Sequence, residues 1–324
     1  MSNSFTLEST EPLPNGQPGS PLSTSHIASC SPALLPTAPP EPLQPARIGV
    51  FDSGVGGLTV LQELSRQLPL ESILYFGDTA RVPYGTRSEA EILRFVREIL
   101  AWMQSEQVKM VVMACNTSSA LVLDAVRSEF NLPILGIILP GAKAAVQRGR
   151  RIGVIATPAT AASHAYRHAI QEIEPTAEVW QVGCPELVPL IEQDRIMDPY
   201  TSQVLRTYLA PLIAQQIDTL VYGCTHYPHL APVLQQILPC SVQLVNPAVD
   251  LVQAIAQELD LLGLRNTHPS VLPTRFGVSG SPEAFATVSM QWLGYLPTVE
   301  HVDIANVLSK SAKDHKLINM QSPG

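Results

Sequence analysis

The sequence predicts an α/β protein of two pseudo-symmetric α/β domains with mainly parallel sheets, facing each other across a central cleft. Three observations lead there. Short apolar runs alternate with stretches of helical period, the pattern of βαβ units. The alternation then restarts: Ile152-Gly153-Val154-Ile155 echoes Ile48-Gly49-Val50-Phe51, 104 positions earlier. Finally, a cysteine closes a matching strand in each half, Cys115 and Cys224, 109 positions apart. Parallel sheets bind ligands at the carboxyl ends of their strands, so two such halves would put the two thiols on opposite walls of one cleft.

Residues 1–46 are rich in Pro and Ser and have no hydrophobic period. They predict a disordered or extended tail, with a proline-rich partner motif as the functional alternative. Order begins at Arg47. A buried strand over 48–51 leads into the turn Asp52-Ser53-Gly54-Val55-Gly56-Gly57, and Leu58, Val60, Leu61 and Leu64 follow at helical spacing. A second strand over 73–76 ends in Gly77-Asp78. A polar loop through Pro83-Tyr84-Gly85 leads to an amphipathic helix over 88–105. A third strand over 111–113 runs into Cys115-Asn116-Thr117, a helix is expected over 118–130, and a strand over 134–137 closes the half. In the second half the strand over 152–155 meets the hydroxyl-bearing turn Thr157-Pro158-Ala159-Thr160 and a helical stretch, and the strand over 219–222 ends in Gly223-Cys224-Thr225-His226. A last strand and helix, over 276–279 and 282–293, are expected to return to the first half. The resulting division is a first domain over 47–141 plus 246–305 with Cys115, a second over 142–245 with Cys224, and a polar C-terminal tail over 306–324.

Composition narrows the function. Of 324 residues, 45% are hydrophobic and 15% charged, enough for a buried core, and the formal net charge is -8. That balance argues against a general nucleic-acid binder, which needs basic patches to neutralise phosphates. An anionic small-molecule substrate would have to be held by local dipoles and hydrogen bonds. The five cysteines, Cys30, Cys115, Cys184, Cys224 and Cys240, are odd in number and irregularly spaced, and no C-x-x-C occurs. A disulfide framework and a zinc ribbon are disfavoured, and a reducing cytoplasm fits. No apolar run approaches the roughly 20 residues that span a bilayer, and no secretory signal is recognisable. No metal-site spacing, P-loop or G-x-G-x-x-G is present, since Thr59 stands where the last glycine of the dinucleotide motif would fall. His164 and His168, four apart on an expected helix, read as surface or packing residues.

The chemistry concentrates at the strand ends. A thiol at a helix start feels the helix dipole and nearby N–H groups, which favour the thiolate. A free thiol titrates at about 8.5, so modest stabilisation brings it near working pH. A lone cysteine is more often a small buried apolar residue. Here the polar neighbours Asn116-Thr117 and Thr225-His226, and the repetition in both halves, weigh toward acid–base work. Cys30, Cys184 and Cys240 lack that context and read as non-catalytic. Asp52 either caps the next helix or relays a proton with Cys115. Ser53 and the backbone N–H groups after it can bind a carboxylate at the helix start. His226 is either a structural hydrogen-bonding residue or a proton relay. Glu186 reads by default as a solvated helix-start carboxylate.

The stretches Gly49 to Val60, Gly77 to Gly85, Ala114-Cys115-Asn116-Thr117-Ser118-Ser119-Ala120 and Gly223-Cys224-Thr225-His226-Tyr227-Pro228 closely resemble bacterial glutamate racemases. Four motifs in order, from about Arg47 to about Val302, make the resemblance specific. It implies two facing α/β domains and interconversion of L- and D-glutamate without pyridoxal phosphate or another cofactor, supplying D-glutamate to peptidoglycan synthesis. By motif, Cys115 and Cys224 are the two proton donor/acceptors, with Asp52 assisting Cys115 and His226 and Glu186 assisting Cys224. Cys115 would take the proton from D-glutamate and Cys224 from L-glutamate. Asp52, Ser53, Tyr84, Gly85, Asn116, Thr117, Thr160 and Thr225 would hold the substrate. A homodimer, common in this family, is expected. Competing readings are an aspartate or hydantoin racemase, a non-catalytic amino-acid-binding protein that keeps the fold, and a thiol hydrolase using Cys224 and His226.

Overall fold

The computed structural model describes residues 46–268 and 271–304. The Pro/Ser-rich stretch up to residue 45, with Cys30, and the polar tail over 306–324 lie outside the described residues.

In chain order the elements are β1 (Ile48–Asp52), α1 (Leu58–Gln67), β2 (Ile73–Gly77), α2 (Glu89–Ser105), β3 (Met110–Met113), α3 (Asn116–Arg127), β4 (Ile134–Gly136) and α4 (Ile138–Arg148). Then come β5 (Arg151–Ala156), α5 (Pro158–Ala162), α6 (Ala165–Ile173), β6 (Glu178–Gly183), α7 (Leu187–Glu192), α8 (Pro199–Ala214), β7 (Thr219–Gly223), α9 (Ala231–Ile237) and β8 (Gln243–Val245). The chain ends with α10 (Pro247–Leu261), β9 (Arg275–Val278), α11 (Pro282–Leu293) and β10 (Val299–His301).

Two parallel sheets result, ordered β10-β9-β2-β1-β3-β4 and β6-β5-β7-β8. Within the first, β2-β1-β3-β4 has the same order as β6-β5-β7-β8, so the sequence repeat is also a topological one. The strands β1, β2, β3 and β7 are buried at every position. Parallel strands covered by helices on both faces read as continuous apolar runs, which is why the sequence pattern reveals them. β9 adds the C-terminal segment to the first sheet beside β2.

Helix starts are set by local chemistry. Ser88 and Glu91 form a reciprocal capping box on α2. Thr157, Asp198, Asn246 and Ser281 cap α5, α8, α10 and α11, each followed by Pro at the first helical turn. The start of α3 differs. Its cap is Cys115, which makes no side-chain capping bond. His164 is not within a helix but at the N-cap of α6, in left-handed conformation, its Nδ1 bonded to Gln181 Nε2 at 3.0 Å. Of the expected surface or packing roles the exposed His164 takes the first, but the expected helical position does not hold, because the chain turns sharply between α5 and α6. Among the described residues no helix is long and apolar enough to cross a membrane, and no group of three or more His, Cys, Asp or Glu is placed to hold a metal ion.

Candidate active site

The two thiols stand at equivalent places. Cys115 follows β3, Cys224 follows β7, and each strand neighbours the central strand of its sheet, β1 or β5. Both are nearly buried, Cys115 at 5% and Cys224 at 6% exposure. Cys115 Sγ donates to Ser53 Oγ at 3.9 Å. Its thiol is pushed up to about 12, by burial first and then by the charge of Asp52, with Cys224 adding in the same direction. The two sulfurs are therefore within electrostatic reach of each other.

The Asp52 loop and the Cys224 loop touch. Asp52, 0% exposed, accepts from Gly54 N at 3.0 Å through Oδ2 and from Thr225 Oγ1 at 3.3 Å through Oδ1. Burial raises its pKa, while the His226 charge and the N–H groups of Gly54 and Gly57 oppose the rise. Thr59 Oγ1 donates to Thr225 O at 3.0 Å. Gly56 makes this approach possible, since a Cβ there would lie 2.3 Å from Thr225 Oγ1 and 2.4 Å from His226 Nδ1.

On the Cys224 side, His226 Nδ1 lies 3.7 Å from the sulfur and Nε2 lies 2.9 Å from Glu192 Oε1. Burial alone would lower this imidazole. Its hydrogen bonds to Cys224 and Glu192 outweigh burial and hold it up at about 10. A protonated His226 then donates from Nδ1 to sulfur and from Nε2 to the carboxylate. Trp292 of α11 stacks edge-on against His226, ring centroids 5.3 Å apart.

Glu186 is not brought to His226. Its carboxylate accepts from Tyr200 OH at 2.8 Å and Tyr208 OH at 2.9 Å, which lower its pKa. Glu192, at the far end of the same short helix, takes the place beside the imidazole. Nothing in the sequence separates the two carboxylates; the turn of α7 decides which one faces the site.

A second set of contacts closes the other side. Thr117, Thr157 and Thr160 form a triangle of hydroxyls with edges of 3.0, 3.1 and 2.9 Å. Gly85 packs on Thr157, where a Cβ would lie 3.0 Å from Thr157 Cβ. Asn116 Oδ1 accepts from Tyr166 OH at 2.7 Å. Tyr84 donates its phenol to Asp78, which also pairs with Arg81. Thr157 joins the expected Thr117 and Thr160 here, and the signal for it is its place after β5, which mirrors that of Ser53 after β1. Cys184 is buried, its thiol pushed up to about 12 chiefly by burial, and Cys240 is exposed. A cavity of about 690 Å³ lies between α3, α4, α6 and α10, and neither Cys115 nor Cys224 borders it.

The fold that carries these two sulfurs is shared with known proteins. A profile described as Asp/Glu/hydantoin racemase matches residues 48–259. The chain belongs to that racemase family. A glutamate racemase of Nostoc sp. is 70% identical over 264 residues, 82% of this chain and 90% of that protein. Among solved structures, glutamate racemase isoform RacE1 from Bacillus anthracis superposes with a TM-score of 0.77 at 37% identity, covering 80% of this chain and 98% of that one. The Francisella tularensis glutamate racemase in complex with D-glutamate gives a TM-score of 0.76 at 34% identity, covering 81% and 99%. The chain is thus a racemase with the α/β architecture of these relatives.

Proposed function

We propose that this racemase interconverts L- and D-glutamate by proton transfer between Cys115 and Cys224. The observation that carries the reading is the placement of two thiols at equivalent strand ends, close enough for the charge of one to oppose ionisation of the other. The substrate assignment is supported by the relatives' identity as glutamate racemases.

Inverting a stereocentre requires a proton to leave one face and another to arrive at the opposite face. In the L-to-D direction, Cys224 as thiolate takes the α-proton and Cys115 as thiol delivers its own to the other face. The reverse direction exchanges the roles. The His226 imidazolium, held by Glu192, is the partner of a Cys224 thiolate. Asp52 and burial keep Cys115 protonated until it is needed. The developing carbanion needs preorganised donors in a site that excludes water. Ser53, Asn116, Thr117, Thr160, Thr225 and the Tyr84-Gly85 turn supply candidates, and Thr157 joins them. With both sulfurs nearly buried, substrate entry requires the Asp52–Thr225 and Thr117–Thr157 contacts to part. The six-stranded sheet and its helices (47–141 plus 246–305) and the four-stranded sheet (142–245) are read as the two domains that move. We place the enzyme in the cytoplasm as a homodimer supplying D-glutamate for peptidoglycan.

Solvent deuterium wash-in at the α-carbon of purified protein, with L- and D-glutamate and with aspartate as comparison, tests this. Cys115→Ala and Cys224→Ala should each reduce racemisation by about 10³-fold, within the roughly 10²–10⁴ that a positioned acid–base group contributes. Full activity in either variant would remove the two-thiol mechanism.

A further inference from the structure

We propose that Tyr166 is a positioning residue, whose phenol fixes the side-chain amide of Asn116 so that its NH₂ group is kept as the free donor for a substrate carboxylate beside Cys115. This rests on the two-thiol reading of the site and adds to it a residue that touches neither sulfur.

Tyr166 stands on α6, in the half that carries Cys224, while Asn116 opens α3, in the half that carries Cys115. The phenol is 0% exposed and Asn116 3% exposed. Their hydrogen bond of 2.7 Å therefore forms away from water, between the two sheets' helices. An amide can sit either way round in nearly the same volume, and here the partner decides. A buried phenol proton needs an acceptor, and only the amide oxygen can serve. That engages Oδ1 and leaves Nδ2, which is buried and has no partner. A buried donor without an acceptor is costly, and a bound carboxylate would satisfy it.

The ring itself is held in place. A Cβ at Gly141 of α4 would come within 3.2 Å of Tyr166 Cε1, so the glycine gives the ring its seat. Burial, and after it the charge of Cys224, opposes ionisation of the phenol, which keeps it a donor.

The test is a double-mutant cycle on glutamate racemisation. Tyr166→Phe keeps the ring and removes the hydroxyl. It should raise KM and lower kcat/KM by about 10-fold, the scale of one mis-set buried hydrogen bond. In an Asn116→Ala background the same change should alter kcat/KM by less than about twofold, because coupled groups are non-additive. Unchanged kinetics in Tyr166→Phe, or an equal loss in both backgrounds, would overturn the proposal. Asn116→Asp gives a second reading that leaves Tyr166 intact: it still accepts from the phenol but has no NH₂ to donate. KM should rise as in Asn116→Ala, and a wild-type KM would overturn the proposal. Failure of the two-thiol reading shows separately, as wild-type racemisation surviving in the Cys115 or Cys224 alanine variants.

Discussion

Cys115 and Cys224 occupy matching places in sheets of matching strand order, yet their surroundings differ in charge. Cys115 caps a twelve-residue helix and has a buried carboxylate, Asp52, as its charged neighbour. Cys224 runs into a short turn and has an imidazole, His226, backed by Glu192. One environment resists a negative sulfur and the other offers it a cation. The scaffold repeats in strand order while the side chains around the two sulfurs do not, and under the proposed mechanism that difference would divide the roles of acid and base. The reaction tolerates this asymmetry. Mirror-image amino acids have equal energy in water, so the equilibrium constant is one and kcat/KM must be equal in both directions whatever the site looks like. Only the division between kcat and KM can reveal the difference between the walls.

The strongest way to break the comparison is to displace one wall. Gly56→Ala would drive a methyl group into Thr225 and His226 while leaving Cys115 and Ser53 in place. Racemisation in both directions should fall by about 10²-fold, as expected for a misplacement of about 1 Å, with the thermal melt still cooperative. A variant of wild-type activity would mean the loops do not meet as described.

Glu192→Gln removes the anion behind His226. The imidazole, now held at about 10, should titrate lower. The alkaline limb of kcat/KM against pH should shift to lower pH and the plateau fall by about 10-fold. The matched change Glu186→Gln should leave both within about twofold, since that carboxylate is exposed and bonded to Tyr200 and Tyr208. If Glu186→Gln moves the limb and Glu192→Gln does not, the assignment reverses.

A smaller effect concerns stability. The folded-state pKa of His226 is raised above its ordinary 6.5 to about 10. Its contribution is therefore fully present below 6.5 and is lost as pH rises through about 10. The Tm should decline across that window in wild type and decline less in Glu192→Gln, as measured by thermal melts at fixed ionic strength.

Much of the fold is legible in the amino-acid pattern. The buried strands announce themselves because parallel strands covered on both faces are apolar throughout, and the helix over 282–293 is marked by Ser281 and Pro282 at its start. The edges are not legible. β6 and β10 are only partly covered, and their mixed residues carry no period. The pattern also starts α3 two residues late, because Asn116 and Thr117 look like loop residues until their side chains are seen bonded to Tyr166, Thr157 and Thr160.

By itself the sequence determined the α/β class, the internal repeat and the two cysteines at strand ends, since each is written in local period, turn chemistry and spacing. Tertiary structure alone decided which carboxylate stands behind His226, which tyrosine holds Asn116, and that Asp52 reaches Thr225 across 173 positions. Those pairings depend on how two sheets and their helices come together, and contacts between residues far apart in the chain leave no periodic trace along it.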